Sequence, residues 1–334
     1  LKQAVLVTGG AGYIGAHACK ALAKAGYLPV VYDDLSLGHA AHIKWGPHVQ
    51  GDIRDRGAIE TALKAHGAIA VIHFAALSAV GESMAEPARY YDTNVRGTMA
   101  LLDAMVAAGV PHLVFSSTAA VYGEPDKLPI SEESRLEPVN PYGRTKLICE
   151  RMAADYAVHG IKAVALRYFN ASGADPETEI GEKRANETHL IPRAMMALQG
   201  YIHDFQVFGS DFPTPDGTAI RDYIHVTDLA EGHVLALRHL QSGGAPGAFN
   251  LGVGHGYSVL EILTAVAAAS GRDMPAPKGA RRAGDPNILV ADPSRARQTL
   301  GFTPTHSDLK TIAETAWKWH RIAHPARNDP APQG

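Results

Sequence analysis

Cysteine is nearly missing from this chain: its 334 residues contain two, Cys19 and Cys149, and neither belongs to a CxxC pair. That scarcity excludes a disulfide scaffold and a structural zinc site, and it leads us to expect a reducing, cytoplasmic setting. Net charge is also small. Charged side chains make up 19% and the formal net charge is −3, so there is no basic footprint for nucleic acid or an anionic membrane as partner. No apolar run approaches the length of a membrane span, and the opening stretch Leu1–Val7 is too short for a signal peptide. Histidines are plentiful at 17, but they are scattered. His39 and His42 form an HxxH pair without a neighbouring carboxylate, so no metal is expected.

What is present is a pattern. Through the first half, short β-branched runs alternate with longer helical stretches, as in βαβ units of a parallel sheet. Strands are expected at Ala4–Thr8, Pro29–Asp33, Ile69–Phe74, His112–Ser116 and Ala163–Arg167. Helices are expected at Ile14–Ala25, Pro87–Ala108 and Pro141–His159, the last with Asn140 as N-cap and Pro141 at its first position. After about Asn170 the texture turns to Gly, Pro, Asp, Glu and Thr. Helices are expected there at Leu190–Leu198, Thr227–Leu240 and Val259–Ala269, with a strand at Ala248–Leu251. The tail Pro325–Gly334 reads as disordered.

Thr8-Gly9-Gly10-Ala11-Gly12-Tyr13-Ile14-Gly15 follows the first strand and opens the first helix. It fits GxGxxG through Gly10, Gly12 and Gly15, and GxxGxxG through Gly9, Gly12 and Gly15. Glycine lets the backbone approach a pyrophosphate, and the helix N-terminus offers free N–H groups to it. The bland alternative is a tight strand–helix connection without a ligand. Asp33, at the end of the second strand, can accept hydrogen bonds from ribose hydroxyls and would repel a 2′-phosphate, which favours NAD over NADP. Asp52 is placed to meet the adenine edge, or else belongs to a turn with Gly51. The expected fold is therefore α/β: a Rossmann-type doubly wound parallel sheet over residues 1–170, joined by parts of 221–252. A smaller mixed α/β substrate-binding lobe is expected over 171–334.

Tyr142 and Lys146 form a YxxxK pair, which places both on one face of a helix. A phenol is a poor base at neutral pH, but a neighbouring ammonium stabilises the phenolate. Tyr142 also lies in the first helical turn, where the dipole favours an anion. Thr118 follows the strand that ends at Ser116, where ligand sites of open parallel sheets lie. It can share a hydrogen bond with a substrate hydroxyl or Tyr142, or simply cap the turn.

Several blocks are longer than these patterns: TGGAGYIG, HFAALSAVGES (His73–Ser83), YYDTNVRGT (Tyr90–Thr98), FSSTAAVYG (Phe115–Gly123), NPYGRTK (Asn140–Lys146), LRYFNASGA (Leu166–Ala174) and RDYIHVTDLA (Arg221–Ala230). With Asp33, they resemble the extended short-chain dehydrogenase/reductase family over about residues 3–320, and most closely its sugar-nucleotide 4-epimerases. The resemblance implies Tyr142 as base, Lys146 as its activator and a nicotinamide-ribose ligand, and Thr118 as third member. It implies that NAD is held by Gly9, Gly12, Tyr13, Ile14, Gly15, Asp33, Asp34, Asp52, Ile53, Phe74, Ala75, Ala76, Asn94, Ser116, Tyr142, Lys146, Tyr168 and Phe169. A UDP-hexose or UDP-pentose would contact Thr118, Tyr142, Asn170, His189, Leu190, Gln206, Phe208, Arg221, Tyr223, Val259, Arg282 and Asp285. Arg221 and Arg282 suit diphosphate and ribose, since guanidinium forks match anionic oxygens, although salt bridges with Asp222 and Asp285 would also account for them.

Three positions depart from the family pattern. Ser78 stands where the best-known bacterial members carry a lysine near the diphosphates. His189 stands where asparagine is common, and Leu289 where some members border the sugar pocket with tyrosine. Related dehydratases and decarboxylases carry an acid shortly after the threonine; here Ala119 and Ala120 follow Thr118. The resemblance thus implies inversion at C4, interconverting UDP-glucose and UDP-galactose through a transient 4-keto sugar with NAD recycled in place. UDP-xylose/UDP-arabinose and UDP-GlcNAc/GalNAc remain as alternative pairs, and an inactive NAD sensor as the non-enzyme alternative. In the family the helices Pro87–Ala108 and Pro141–His159 pair across a homodimer; burial in their own core is the other use of their apolar faces.

Overall fold

The computed structural model describes residues 2–281 and 286–325. Seven strands form one wholly parallel sheet: β1 (Ala4–Thr8), β2 (Leu28–Asp33), β3 (His48–Gln50), β4 (Ala68–His73), β5 (His112–Ser116), β6 (Lys162–Tyr168) and β7 (Gly247–Leu251). Their spatial order is β7-β6-β5-β4-β1-β2-β3, so the chain reverses direction across the sheet between β1 and β4. Ligand crevices of such sheets open at that reversal, beyond the carboxyl ends of the strands.

The alternating side chains of β1 explain why both faces are covered. Val5 and Val7 enter a core with Cys19 and Leu22 of helix α1 (Tyr13–Lys24), and with Leu229 and Leu237 of a helix at Val226–Gln241. Ala4 and Leu6 point the other way, against Ile59 and Leu63 (helix Arg56–His66), Leu101 and Met105 (helix Gly97–Ala108), and Cys149 (helix Pro141–Asp155). The two cysteines are free and lie in opposite layers. The expected Pro87–Ala108 helix is one helical run, with a wider π turn at Tyr91–Arg96.

A second lobe packs on the carboxyl edge of the sheet. Its core gathers Ile191 and Met195 from the helix Leu190–Leu198, Ile262 and Val266 from Val259–Ser270, and Ile312 and Trp317 from Leu309–Ala323. Short strand pairs complete it, including Ile220–Arg221 between Tyr257–Ser258 and Ile288–Leu289. Between these lobe segments, residues 226–251 return to the sheet as a covering helix and edge strand β7. Lys20 of α1 ties the lobe to the sheet: its ammonium lies 2.6–2.9 Å from the carboxylates of Asp175, Glu177 and Glu179.

The expected strands and helices match within a few residues. Helices Arg56–His66 and Leu309–Ala323 lie outside those expectations. Of the expected disordered tail, all but Pro325 lies outside the described residues.

Candidate active site

The glycine turn is built to have no side chains. Gly9 has φ of +71°, and a Cβ there would lie 2.6 Å from the backbone N of Ala75; one on Gly15 would lie 2.2 Å from the Gly9 carbonyl oxygen. The turn therefore presses on the segment Phe74–Ala75 after β4 and on the first turn of α1. Helix α1 has no acidic residue in its first turn and no side-chain cap, so its amino end keeps a positive face toward the crevice.

Asp33 holds the turn in place. One carboxylate oxygen accepts the Ala11 N–H at 3.0 Å and the other the Leu35 N–H at 2.8 Å. Burial raises its pKa, while these two bonds pull it back down. Each oxygen retains a lone pair for a ribose hydroxyl. Asp34 instead closes a local turn, accepting from Ser36. Asp52 is held by the guanidinium of Arg54, which also reaches Asp92, and Ile53 is part of the core beneath Gly97. Asn94 is buried and committed within the protein: its Oδ1 accepts from Leu77 N, and its Nδ2 donates to Leu77 O and Thr145 Oγ1. Phe74 packs its ring 4.7 Å from that of His233.

A cleft of about 330 Å³ opens beside this edge, between the sheet and the second lobe. It brings Thr118 and Tyr142 together with Asn170, His189, Leu190 and Tyr223, and with Tyr13, Ile14, Tyr168 and Phe169. Asn140 caps the helix that carries Tyr142 through a 2.8 Å bond from Gly143 N, and Pro141 begins it. Gly143 allows that helix to approach the segment after β5, since a Cβ would lie 2.6 Å from the Ala120 carbonyl oxygen. Thr118 both caps and contacts. Its Oγ1 accepts the Ala120 N–H at 3.1 Å, and it lines the cleft together with the Tyr142 phenol.

Burial raises the Tyr142 pKa; the neighbouring Thr118 hydroxyl and the charge of Arg184 oppose that rise. Lys146, one helical turn on, is buried with its ammonium 2.8 Å from the Ser116 carbonyl oxygen and 4.9 Å from the Phe115 ring centroid. Burial lowers its pKa to about 8, against the pull of Cys149 and Glu150. Ser116 bonds the Tyr168 hydroxyl, which fixes the end of β6 at the same edge. Behind the helix, Glu150 and Arg167 form a buried ion pair at 2.6 Å, joined by Ser117 and Tyr122.

The far wall of the cleft adds Glu182, Arg184 and Glu187, which the motif reading missed, to the expected His189. The Glu182 carboxylate accepts from Arg184 Nε at 2.9 Å and from His189 Nδ1 at 2.7 Å. Glu187 accepts the backbone N–H groups of Thr188 and His189. The signal available was the density of charge in Gly-Glu-Lys-Arg-Ala-Asn-Glu-Thr-His, residues 181–189, within an otherwise irregular stretch.

Other expected residues lie away from the lining. Gln206 and Phe208 are exposed on and beside a two-residue strand, and Val259 begins a lobe helix. Arg221 donates to the carbonyls of Ile220, Pro286 and Asn287. Leu289 packs with Val121, Tyr122 and Phe169 in a satellite cluster, so it does not by itself widen the cleft. Arg282 and Asp285 lie outside the described residues. His39 places a ring nitrogen 2.8 Å from the Lys183 carbonyl oxygen, and His42 is buried against Trp319.

The crevice at the sheet reversal, the glycine turn and the hydroxyl pair at the strand ends define a class: a Rossmann-type dinucleotide-binding enzyme fold. The chain matches the NAD dependent epimerase/dehydratase family over residues 5–252 and belongs to it. A UDP-glucose 4-epimerase of Rhizobium meliloti (strain 1021) is 51% identical over 317 residues, covering 95% of this chain and 96% of its own. The crystal structure of UDP-glucose 4-epimerase from Brucella ovis in complex with NAD superposes with a TM-score of 0.93 at 54% identity, covering 95% of this chain and 98% of that one. The same enzyme from Stenotrophomonas maltophila, with bound NAD and formylated UDP-arabinopyranose, gives 0.93 at 43% identity, with 96% and 98% covered.

Proposed function

We propose that this chain is an isomerase that interconverts UDP-glucose and UDP-galactose by inversion at C4, using NAD. The observation that carries the reading is the Thr118–Tyr142 hydroxyl pair in the cleft, with Ala119 and Ala120 after Thr118 where a dehydratase needs an acid. Glu182, the one carboxylate lining the cleft among the described residues, is engaged by Arg184 and His189.

The residues present fit NAD: a turn that a Cβ would fill at Gly9 and Gly15, an uncapped helix end, and Asp33 with lone pairs to spare. When bound, NAD supplies a reversible hydride acceptor. Tyr142 takes the proton of the sugar's C4 hydroxyl and returns it after inversion. Thr118 donates to the Tyr142 oxygen and so favours the phenolate. Lys146, anchored on Ser116, holds a positive charge at the strand ends and binds the nicotinamide ribose. Asp33 selects against a 2′-phosphate by its charge.

A homodimer is part of this reading. Tyr91, Met99 and Val106 are exposed at 37–45% and sit about two helical turns apart on the run from Pro87 to Ala108. Two free, buried cysteines suit the cytoplasm.

The test offers UDP-galactose, UDP-N-acetylgalactosamine and UDP-xylose in parallel and follows products by NMR. UDP-glucose should form fastest, without net NADH. Tyr142→Phe should retain NAD and lose activity by about 10²–10⁴-fold, the usual worth of a positioned acid–base. Near-wild-type turnover in that variant would remove Tyr142 from its role.

A further inference from the structure

We infer that Glu150 is a positioning residue for the proton transfer, an assignment that rests on the function proposed above. Its one buried carboxylate fixes both the strand-end segment Ser116–Thr118 and the charge of Lys146, one helical turn from Tyr142. Tyr142, Lys146 and Glu150 recur every four residues along the helix Pro141–Asp155, which places the three side chains on one face of it. The first meets the cleft, the second meets the end of β5, and the third lies buried behind them.

Three elements meet at this carboxylate. Its Oε1 accepts the Ser117 hydroxyl from the segment after β5. Arg167 of β6 donates to both oxygens, through Nε at 3.0 and 3.2 Å and through a terminal nitrogen at 2.6 Å. The Ser117 N–H meanwhile donates to the Leu166 carbonyl at 2.9 Å. Ser117 is thus tied to β6 by its backbone and to the helix of Tyr142 by its side chain, and it is fully buried. The residues on either side of it are the ones the reaction uses. The Ser116 carbonyl receives the Lys146 ammonium at 2.8 Å, and Thr118 faces the cleft. Arg167 is itself held: it donates to the Tyr122 hydroxyl at 3.1 Å, and that hydroxyl donates to Asn250 Oδ1 at 2.7 Å.

The charge of Glu150 matters as much as its bonds. Burial pushes the Lys146 pKa down to about 8, and Cys149 and Glu150 pull against that. Cys149 can do so only as a thiolate, and its own burial pushes that thiol up, away from ionisation. His73, which feels the same ammonium from β4, is kept neutral by burial. The Phe115 ring and the Ser116 carbonyl offer dipoles but no charge. Burial also raises Tyr142 and so favours its uncharged phenol. The Glu150 carboxylate is therefore the charge that holds the proton on Lys146, since an opposite charge nearby favours the charged form. Arg167 spares that carboxylate from being buried alone and weakens its pull on the ammonium. Removing Glu150 should release the Lys146 proton at a lower pH, and removing Arg167 should not.

The experiment measures kcat and KM for UDP-galactose on the NAD-loaded full chain across neutral and alkaline pH. The wild-type rate should decline as pH rises through the Lys146 value. Glu150→Gln keeps an oxygen for Ser117 but removes the charge, so this decline should begin about one pH unit lower, with KM within about twofold. Arg167→Leu breaks the same ion pair yet leaves the carboxylate, so the decline should stay in place or move up. A merely structural pair would shift both variants alike. Ser117→Ala cuts the strand-end bond alone and should lower kcat about threefold to tenfold at every pH without moving the decline. If Glu150→Gln does not fold, the double variant Glu150→Gln/Arg167→Leu carries the same readout, because it buries no unpaired charge. An unmoved decline without the Glu150 charge overturns the inference. So does an equal downward shift in Arg167→Leu, or wild-type kcat in Ser117→Ala. Wild-type protein that does not epimerise refutes the proposed function instead, whereas active wild type with an indifferent Glu150→Gln refutes only this assignment.

Discussion

The two walls of the cleft are made differently. On the sheet side, Thr118, Tyr142 and Lys146 are set by backbone: a strand end, a capped helix and a carbonyl at 2.8 Å each hold one side chain. On the lobe side, Glu182, Arg184 and His189 hold one another through charge, on a loop without regular structure. The first wall places a proton to within a hydrogen bond. The second offers a charged surface whose strength depends on its partners, which suits binding more than chemistry.

Burial separates the ion pairs of the two walls further. Glu150 and Arg167, behind the sheet-side helix, expose only 8% and 5% of their side chains, whereas Arg184 exposes 32%. Removing one partner of a buried pair leaves an uncompensated charge and costs about 3–5 kcal/mol. Arg167→Leu should therefore lower stability by that amount in urea unfolding, and the double change with Glu150→Leu should recover much of it. Arg184→Gln should cost less than Arg167→Leu, because Arg184 itself is a third exposed and the buried Glu182 carboxylate keeps its bond from His189. Equal losses from the two single variants would erase the distinction between the walls.

A smaller effect probes the sheet-side wall alone. Thr118→Val removes the hydroxyl that the proposed mechanism donates to Tyr142 and the acceptor for Ala120 N–H, while Thr118→Ser keeps both. A hydrogen bond to a charged group is worth about 1.5–3 kcal/mol, so kcat should fall roughly tenfold to a hundredfold in the valine variant. The serine variant should stay near wild type. If both fall alike, the methyl group rather than the hydroxyl is what matters.

The same contrast explains what could be read before the structure. Leu190–Leu198 and Ala4–Thr8 were legible to the residue, because an amphipathic run and a β-branched run carry their own period. Tyr142 was legible through a local pair and its cap. Arg56–His66 was readable and passed over, although Asp55 caps it and Gly67 ends it in the left-handed region. The two-residue strands at Ile220–Arg221 and Ile288–Leu289 have no period at all; only their pairing makes them strands. Arg184 was hidden for a related reason. Its place in the cleft wall depends on Glu182, Trp319 and Tyr142, which come from the loop, the last helix and the sheet side, and no spacing in the chain encodes that meeting.

The smallest effect should distinguish the two walls by the sign of a pH dependence. His73, at the end of β4, is buried between Thr8 and Thr98, and burial pushes its pKa down to about 3. It stays neutral when folded, while in the unfolded chain it takes a proton below about pH 6.5. Its contribution to stability is therefore lost as pH falls from 6.5 toward 3. His189 runs the other way. The Glu182 charge raises its pKa, so its contribution is complete below about pH 6.5 and is lost as pH rises through the raised value. With half of the His189 side chain exposed, that loss should be below about 1 kcal/mol. Thermal unfolding between pH 4 and 9 reads both arms. His189→Gln should flatten the alkaline arm of the curve and leave the acid arm, where His73 acts with His17, His42, His225, His233 and His320, all lowered by burial, unchanged. An alkaline slope that survives the substitution would show that the lobe-side wall does not depend on this charge.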